Sequence, residues 1–375
     1  KDKEGRAPDV ATVTGSATAG SGSAAPATPV KETKLEGKAL ADKYLACTSF
    51  INTAKWDDLA SKCLATTYKG HTADGDDTSG PSAVVDYFKA QAAAFPDMKL
   101  QPQLVAVNGR NILAVALLTG THTGTMKSAH GELPATNKKI GQLMFHRVTL
   151  DEENRVSEEW AYFDPATMMG QLGLLPPSAP KLRPTLEAGW QGAPIVVVAT
   201  DDAKEKANLD VAQKSAAAYQ AKKWADYTAL YTDEAVEADQ ATGIDNKGKK
   251  QLQSGGELLT KAFPDLKLET VASFAAGDFV FVQGTLTGTN DGPLGTLTPT
   301  KKQLQAQYAE VYKLADGKIA ELWRFRNGKA MAAQLGLIPT SPAAGSAAAP
   351  TGTNAPGSAA APKAEAPPAA GSANP

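Results

Sequence analysis

The sequence predicts an α+β protein built from two tandem copies of one domain, each with helices packed on one face of a curved antiparallel sheet. Three motifs recur 168 residues further along the chain: Lys55-Trp56 as Lys223-Trp224, FPDMKL from Phe95 as FPDLKL from Phe263, and LTGT from Leu118 as LTGT from Leu286. QLGLLP from Gln171 returns 163 residues later as QLGLIP, so the second copy is slightly shorter. Self-similarity at a fixed spacing indicates a repeated structural unit.

The repeat divides the chain into five segments. We expect a tether at 1–35, domain 1 at 36–177, a linker at 178–200, domain 2 at 201–340 and a tail at 341–375. The tail has 14 Ala, 7 Pro, 4 Gly and 4 Ser among its 35 residues. Such a segment buries too little apolar surface to offset chain entropy, so the tail and the similar tether are predicted to be disordered.

Helices come first in each copy. Residues 36–53 and 203–222 are rich in Ala and Lys, with apolar residues at helical spacing, and predict the first helix. A short second helix is expected after each Lys-Trp pair. A third helix is expected over 81–94 and over 249–262, and Pro81 suits a first helical turn.

Strands follow the helices. They are predicted at 98–108, 111–122, 139–150 and 156–164, and again at 266–275, 279–289, 302–314 and 318–326. The dipeptides Asn108-Gly109 and Asp316-Gly317 are tight-hairpin signals. Short connections join antiparallel neighbours, so each copy is predicted to hold an antiparallel sheet. Within the linker, Ile195–Val198 is a further short-strand candidate.

Composition excludes several classes of protein. A net charge of −2 does not fit a strongly basic nucleic-acid binder. No stretch approaches the ~18 consecutive apolar residues of a membrane span. Four His and two Cys form no Cys-rich or Cys/His metal framework, so no metal or cofactor is expected. The sequence also lacks a phosphate-binding glycine loop and a Gly-x-Ser-x-Gly nucleophile elbow.

Two features point to export. The chain begins at Lys1, and a Ser/Ala/Gly/Pro tether follows, as in exported proteins and lipoproteins of the bacterial periplasm or outer envelope; a lipid anchor would then lie upstream. A trimmed chain is the alternative. Cys47 and Cys63 are both absent from the second copy, where Ser215 and Tyr231 stand at the same spacing. A disulfide would suit export, and two unrelated small core residues are the alternative.

The order of the motifs resembles a known family. The chain carries, in this order, AFPD-x-K-L, TGTHTG, a Lys-Lys strand, a last strand with Trp, and QLGLLP. This order resembles that of the SnoaL-like polyketide cyclases and ester cyclases, which belong to the nuclear-transport-factor-2-like superfamily. The resemblance covers both copies. It implies a cone of three helices over a bent sheet, an apolar pocket between them, and sheet-to-sheet dimers. Two fused copies would form that dimer inside one chain, so a monomer with an internal pseudo-dimer is expected.

The resemblance also implies where chemistry would occur. The cyclases carry an acid/base carboxylate directly after the last-strand Trp, but this chain has Ala161 and Arg324 there, and neither side chain can take a proton as a carboxylate does. His146 lies close to the family's substrate-binding His. Strand alternation places Glu159 and Phe163 on the same face as Ala161. His146 and Glu159 are therefore the candidate catalytic pair, with a half-exposed surface pair as the alternative.

The second copy offers a different pair. Glu310 is the counterpart of His146, and alternation turns Arg324 inward. The two would line a pocket and receive a ligand, or else form a structural salt bridge. His71, matched to Asp239, is expected near the pocket mouth. His71, Phe163, Glu310 and Arg324 are thus the candidate ligand-binding residues, and the first copy is the better candidate for chemistry.

The sequence predicts a SnoaL-like protein that takes an apolar small molecule, with acid/base chemistry on a polyketide-like or other carbonyl substrate. A non-catalytic ligand-binding module and an envelope structural protein are the alternatives, because both positions of the family's carboxylate have changed. Whether the chain is an enzyme stays open at this point.

Overall fold

A computed structural model describes residues 33–72, 77–128, 131–175, 182–190 and 192–338. The predicted tail, most of the tether and part of the linker lie outside the described residues. The helices are α1 (Lys38–Asn52), α2 (Trp56–Asp58), α3 (Pro81–Ala94), α4 (Pro165–Gln171), α5 (Ala203–Gln220), α6 (Trp224–Ala229), α7 (Gly248–Ala262) and α8 (Gly328–Gln334).

Fifteen strands accompany these helices in the described residues. In domain 1 and the linker they are β1 (Leu64–Thr72), β2 (Thr78–Ser79), β3 (Lys99–Asn108), β4 (Asn111–Thr121), β5 (Met126–Ser128), β6 (Gly131–Leu133), β7 (Lys139–Leu150), β8 (Val156–Tyr162) and β9 (Ile195–Val198). In domain 2 they are β10 (Tyr231–Asp239), β11 (Asp245–Lys247), β12 (Lys267–Ala276), β13 (Phe279–Thr289), β14 (Gln303–Ala315) and β15 (Lys318–Arg326).

Two large sheets confirm the α+β class and the duplication. Their strand orders are β2-β1-β8-β7-β4-β3-β9 and β11-β10-β15-β14-β13-β12. Most neighbours are antiparallel as predicted, but β1 runs parallel to β8 and β10 parallel to β15. The prediction missed β1 and β10, because each pairs with a strand far away in sequence and no local turn signal marks the pairing. The linker strand β9 adds to the edge of β3, also in parallel.

The repeated motifs make the same contacts in both copies. Asp97 accepts hydrogen bonds from the backbone N–H (2.6 Å) and hydroxyl (2.7 Å) of Thr121. Asp265 accepts the equivalent pair from Thr289, at 2.7 and 2.9 Å. In each copy, the Asp of the FPD motif thus ties the end of the third helix, α3 or α7, to the strand that carries the LTGT motif. This contact explains why the two motifs recur together.

A disulfide marks the main local difference between the copies. Cys47 on α1 is bonded to Cys63, with the Cα atoms 5.8 Å apart. Cys63 ends a π-helical turn, Leu59–Cys63, that follows α2. Leu64 and Tyr231 begin the matching strands and are 167 rather than 168 residues apart, so domain 1 has one extra residue here. A π-helical turn accommodates such an extra residue within a helix.

The two sheets pack face to face and form the predicted pseudo-dimer. Phe145 of domain 1 lies between Phe281 and Phe325 of domain 2, with ring centroids 6.4 and 6.0 Å away. Arg147 donates a 2.6 Å hydrogen bond to Gln283 across the same interface. Burying these apolar faces against each other removes them from water and stabilises the association of the domains.

The linker is attached to both domains. A Cβ at Gly141 would lie 1.9 Å from the carbonyl oxygen of Leu186, so only glycine allows the linker to run this close to β7. Further along, Trp190 packs against Trp323 at 5.5 Å between ring centroids. The linker thus fixes the domains relative to each other. Among the described residues, no helix is long and apolar enough to cross a membrane.

Candidate functional site

In domain 1 the structure brings His146 and Glu159 together. The antiparallel register pairs His146 on β7 with Ala161 on β8, and Glu159 lies two residues earlier on the same face. His146 Nδ1 is 3.3 Å from Glu159 Oε1. Both side chains point to the face of the sheet that the helices cover. On this face Tyr68, from β1, donates a 2.7 Å hydrogen bond to Glu159 Oε2. The pair is therefore interior rather than a surface pair at a strand end.

Burial decides the charge of this histidine. It lowers the pKa of His146 below its ordinary value, and the neighbouring Glu159 opposes that shift without reversing it. The imidazole is therefore neutral near pH 7. Its Nε2 is buried and has no hydrogen-bond partner among the described residues, and neither has the hydroxyl of Tyr44 on α1.

The two other candidates of domain 1 lie in different places. Phe163 packs on the helix-facing side with Leu100 and Met144, as strand alternation predicts. His71 lies on the opposite face of the sheet, stacked on Trp160 with ring centroids 4.2 Å apart. The expectation that His71 stands at a pocket mouth is therefore wrong.

The match of His71 to Asp239 is also off by one residue. The strand register places His71 opposite Trp160 and Ala238 opposite Trp323, so Ala238 is its counterpart. The extra residue in the π-helical turn causes the shift.

Domain 2 holds a buried ion cluster where domain 1 has His146. Arg324 donates from Nε to Glu310 Oε1 at 2.7 Å and from Nη1 to Glu237 Oε1 at 2.9 Å. Arg326 pairs with Asp239 beside it. Burial alone would lower the pKa of Arg324, but the carboxylates of Glu237 and Glu310 outweigh it and raise that pKa above its ordinary value. Arg324 is thus a fixed positive charge held between two acids.

A cavity of about 30 Å³ opens beside this cluster. Its walls include Arg324, Arg326 and Glu310, together with aliphatic side chains from α7, β12 and β13. Five tyrosines complete the lining: Tyr219, Tyr227, Tyr231, Tyr308 and Tyr312. The cavity thus lies in the copy that was expected to be the poorer candidate, and its walls are more polar than an apolar pocket would have.

The same positions in domain 1 are filled differently. Where domain 2 has Tyr219, Leu268, Tyr308 and Arg326, domain 1 has Ile51, Leu100, Met144 and Phe163, in the same order. These four side chains of domain 1 pack against one another. Cys47 replaces Ser215, a wall residue of the cavity whose hydroxyl lies 3.0 Å from that of Tyr231. The equivalent helix positions therefore make different links: Cys47 is bonded to Cys63 in domain 1, whereas Ser215 contacts Tyr231, the counterpart of Leu64, in domain 2.

Sequence reasoning missed Glu237 and the tyrosines. Tyr308 and Tyr312 flank Glu310 at strand spacing, so alternation alone would have placed all three on one face. Glu237 lies on β10, a strand that the prediction did not contain. No sequence signal joined it to Arg324, 87 residues away.

Comparison with known proteins identifies the family. The family model for the SnoaL-like polyketide cyclase matches residues 41–172 and 209–335, more than two thirds of the chain. The chain belongs to the SnoaL-like polyketide cyclase family. Both matches fall on the helix-and-sheet units described above, so the SnoaL-like chain carries two tandem copies of the family domain. The comparison with curated proteins returned no match.

Solved structures also resemble the SnoaL-like copies. AclR from Streptomyces galilaeus is 23% identical, covering 37% of this chain and 87% of its own, with a TM-score of 0.34. IdmH from Streptomyces antibioticus is 20% identical, covering 36% of this chain and 98% of its own, with a TM-score of 0.31. A protein with a ketosteroid isomerase-like fold from Catenulispora acidiphila is 16% identical, covering 34% and 92%, with a TM-score of 0.31.

Proposed function

We propose that this SnoaL-like chain is a small-molecule-binding protein whose ligand occupies the tyrosine-lined cavity of domain 2. One observation carries the proposal: the cavity wall includes polar groups that have no hydrogen-bond partner among the described residues. The hydroxyls of Tyr219 and Tyr308 make no hydrogen bond to any described residue. Ligand sites are concave and largely apolar, with a few placed polar groups, and this combination favours binding.

The charges of the cluster support binding over cyclisation. Glu310, which lines the cavity, and Glu237 beside it in the ion cluster are both paired with Arg324. Arg324 itself stands where the family resemblance places the acid/base carboxylate. Both carboxylates are held by charge-assisted hydrogen bonds to Arg324, so neither is free to approach a substrate and remove a carbon-bound proton.

A cavity-filling variant tests the proposal. Ala216 on α5 lines the cavity, whereas the next residue, Ala217, is exposed on the same helix. Native mass spectrometry of the full chain is expected to show a retained small molecule, which Ala216→Leu loses and the control Ala217→Leu keeps. Should Ala216→Leu retain the same added mass as the control, the cavity is not the binding site.

Acid/base catalysis in domain 1 is the second candidate. It is favoured by the neutral imidazole of His146, whose Nε2 is unpartnered while Glu159 lies beside Nδ1. Such a pair can accept a proton at Nε2 while the carboxylate stabilises the resulting imidazolium. Turnover of a carbonyl substrate found by screening would have to fall in His146→Gln; unchanged turnover removes this candidate.

We also propose that the protein is exported and monomeric. The Cys47–Cys63 disulfide supports export, because disulfides persist in oxidising compartments. The covered inner faces of both sheets support a monomer, since the surface that family dimers share is already buried within the chain. A lipid anchor stays a prediction from the sequence. Cell fractionation and sedimentation of the purified chain test the two proposals separately.

A further inference from the structure

The outer edge of β12, in domain 2, has no strand beside it among the described residues, whereas the equivalent edge of domain 1 has one. β12 is the last strand of its sheet and pairs only with β13. β3 has the same place in domain 1, and there the linker strand β9 pairs with it in parallel. Residues 270–276 of β12 also contain no Pro and no charged side chain, which natural edge strands commonly use to prevent pairing.

The exposure of the two edges shows what β9 covers. Leu104–Ala106 of β3 are fully buried, whereas their counterparts Ala272–Phe274 of β12 are only half-buried. The contrast is largest one residue earlier, where both strands have a bulge. Gln103 accepts a hydrogen bond from the backbone N–H of Trp190 in the linker and is 6% exposed, whereas Val271 is 68% exposed. An apolar side chain is therefore left in water at the place that the linker covers in domain 1.

The backbone of β12 presents the same groups to its edge as the backbone of β3. The carbonyl of Val107 points to β9, because it accepts a 2.8 Å hydrogen bond from the N–H of Ala199. The carbonyl of its counterpart Ala275 points to the corresponding side and accepts from Asn108 of domain 1 at 3.1 Å. Ser273, two residues earlier, directs its N–H and carbonyl to this side too, where no described strand lies. An unpaired edge of this kind is a template for pairing with another chain.

The domain interface has an unfilled place beside this edge. A Cβ built on Gly277, in the turn after β12, would lie 3.8 Å from Val197 Cγ1 of β9. A Cβ on Gly109, its counterpart in the turn after β3, would meet no described atom within 4 Å. A strand on β12 would place its third residue beside Gly109, as β9 places Val197 beside Gly277. The edge is thus continuous with the apolar interface between the domains, to which Val197 and Phe274 contribute.

Neither arm of the chain has the sequence that this edge requires. β9 donates to β3 from Ala199 and, by alternation, from Val197, so an occupant needs an N–H at its third residue. At the spacing of the repeat the tether offers residues 27–30, in which Pro29 stands third and has no N–H. Residues 339–375 contain no Val, Ile, Leu or aromatic residue that could fill the interface. The occupant is therefore expected to come from another protein.

We propose that the edge of β12 at residues 272–275 is a docking site for an extended, Val- or Ile-rich segment of a partner protein. The segment adds to the sheet in parallel, as β9 does on β3. Strand addition takes its affinity from backbone hydrogen bonds and its specificity from alternate side chains. The third residue of the segment fills the space at Gly109, and the site is independent of the cavity of domain 2.

A peptide with the sequence of β9 is the probe for this site. Residues 193–200, labelled with fluorescein and extended by two lysines for solubility, are titrated against the full chain, with binding followed by fluorescence anisotropy. In a second peptide, proline replaces the residue that corresponds to Val197. We expect the first peptide to bind, and the second to bind at least about tenfold more weakly because proline removes the donated N–H.

Variants of the protein locate the binding. Ser273→Pro removes the N–H at the outer edge of β12 and should weaken binding of the first peptide by at least about tenfold. The control Ser273→Ala keeps that N–H and should bind the peptide like the unaltered chain. Because the second peptide leaves the protein unchanged, its result does not depend on how well Ser273→Pro folds.

The remaining outcomes overturn the proposal, each in a different way. Equal binding of the two peptides, or equal binding by Ser273→Pro and Ser273→Ala, shows that no strand adds at β12. Binding that appears only after residues 1–32 are deleted shows that the tether occupies the edge. A dimer in sedimentation that Ser273→Pro dissociates shows that a second copy of the chain occupies it. If the peptide binds neither the full nor the shortened chain, the edge accepts no strand.

Discussion

Replacing Arg324 by Met tests how the buried ion cluster of domain 2 is held together. The side chain of Arg324 is 14% exposed, and those of Glu237 and Glu310 are 8% exposed. Met has a similar length and no charge, so Arg324→Met removes two charge-assisted hydrogen bonds and leaves two carboxylates buried without their cation. Removing one partner of a buried ion pair is strongly destabilising because the remaining charge is uncompensated.

The expected loss follows from these contacts. Breaking a buried pair costs about 3–5 kcal/mol. Tyr312 still donates to Glu310, and Tyr227 still lies within 3.4 Å of Glu237, so the carboxylates keep part of their solvation. We therefore expect the free energy of unfolding to fall by about 3 kcal/mol, measured by urea denaturation followed by circular dichroism.

Two further variants make the result decisive. Arg155→Met breaks an exposed ion pair with Glu153 and should lower the free energy of unfolding by less than about 1 kcal/mol. Adding Glu237→Gln and Glu310→Gln to Arg324→Met removes the stranded charges and should recover most of the loss. The reasoning is refuted if Arg324→Met behaves like Arg155→Met, or if the triple variant is no more stable than Arg324→Met alone.

Three other outcomes are expected. His146 has a lowered pKa when folded, so its contribution to stability is present above its unfolded pKa of about 6.5 and is lost as the pH falls below it. Between pH 6.5 and 5.5 the unaltered chain should therefore lose more stability than His146→Gln in urea titrations, by at most about 1 kcal/mol because the unfolded imidazole is already half protonated at pH 6.5; parallel profiles would contradict this. Cys47→Ser with Cys63→Ser opens a link between residues 16 apart and should cost about 3 kcal/mol, a difference that reductant must abolish. Phe145→Ala should cost about 4 kcal/mol and shift the unfolding of both domains in calorimetry; a shift confined to domain 1 would show that the interface does not couple them.

Most of the fold could be predicted from local patterns. Helices α1, α3, α5 and α7 and the eight long strands of the two hairpin series were predicted to within about two residues of their observed bounds. These elements carry their own periodicity, and tight turns mark the connections. Strands β1 and β10 escaped prediction because only a distant parallel partner makes them strands.

The candidate site could be predicted only in part. His146 and Glu159 meet because two antiparallel strands with a short link between them have a register that alternation can follow. The same logic paired Glu310 with Arg324. It failed for His71, because an extra residue upstream moved this side chain to the other face of the sheet.

A duplicated α+β architecture and the resemblance to the SnoaL-like family could both be read from the sequence, because repeated motifs and hydrophobic periodicity are local properties. The tertiary structure places a cavity in domain 2 that no local pattern predicts. In domain 2, tyrosines from α5, α6, β10 and β14 line the cavity together with Arg324. In domain 1, Ile51, Met144 and Phe163 fill the matching space. A cavity depends on how side chains from distant segments fill a shared volume, and no single segment encodes that volume.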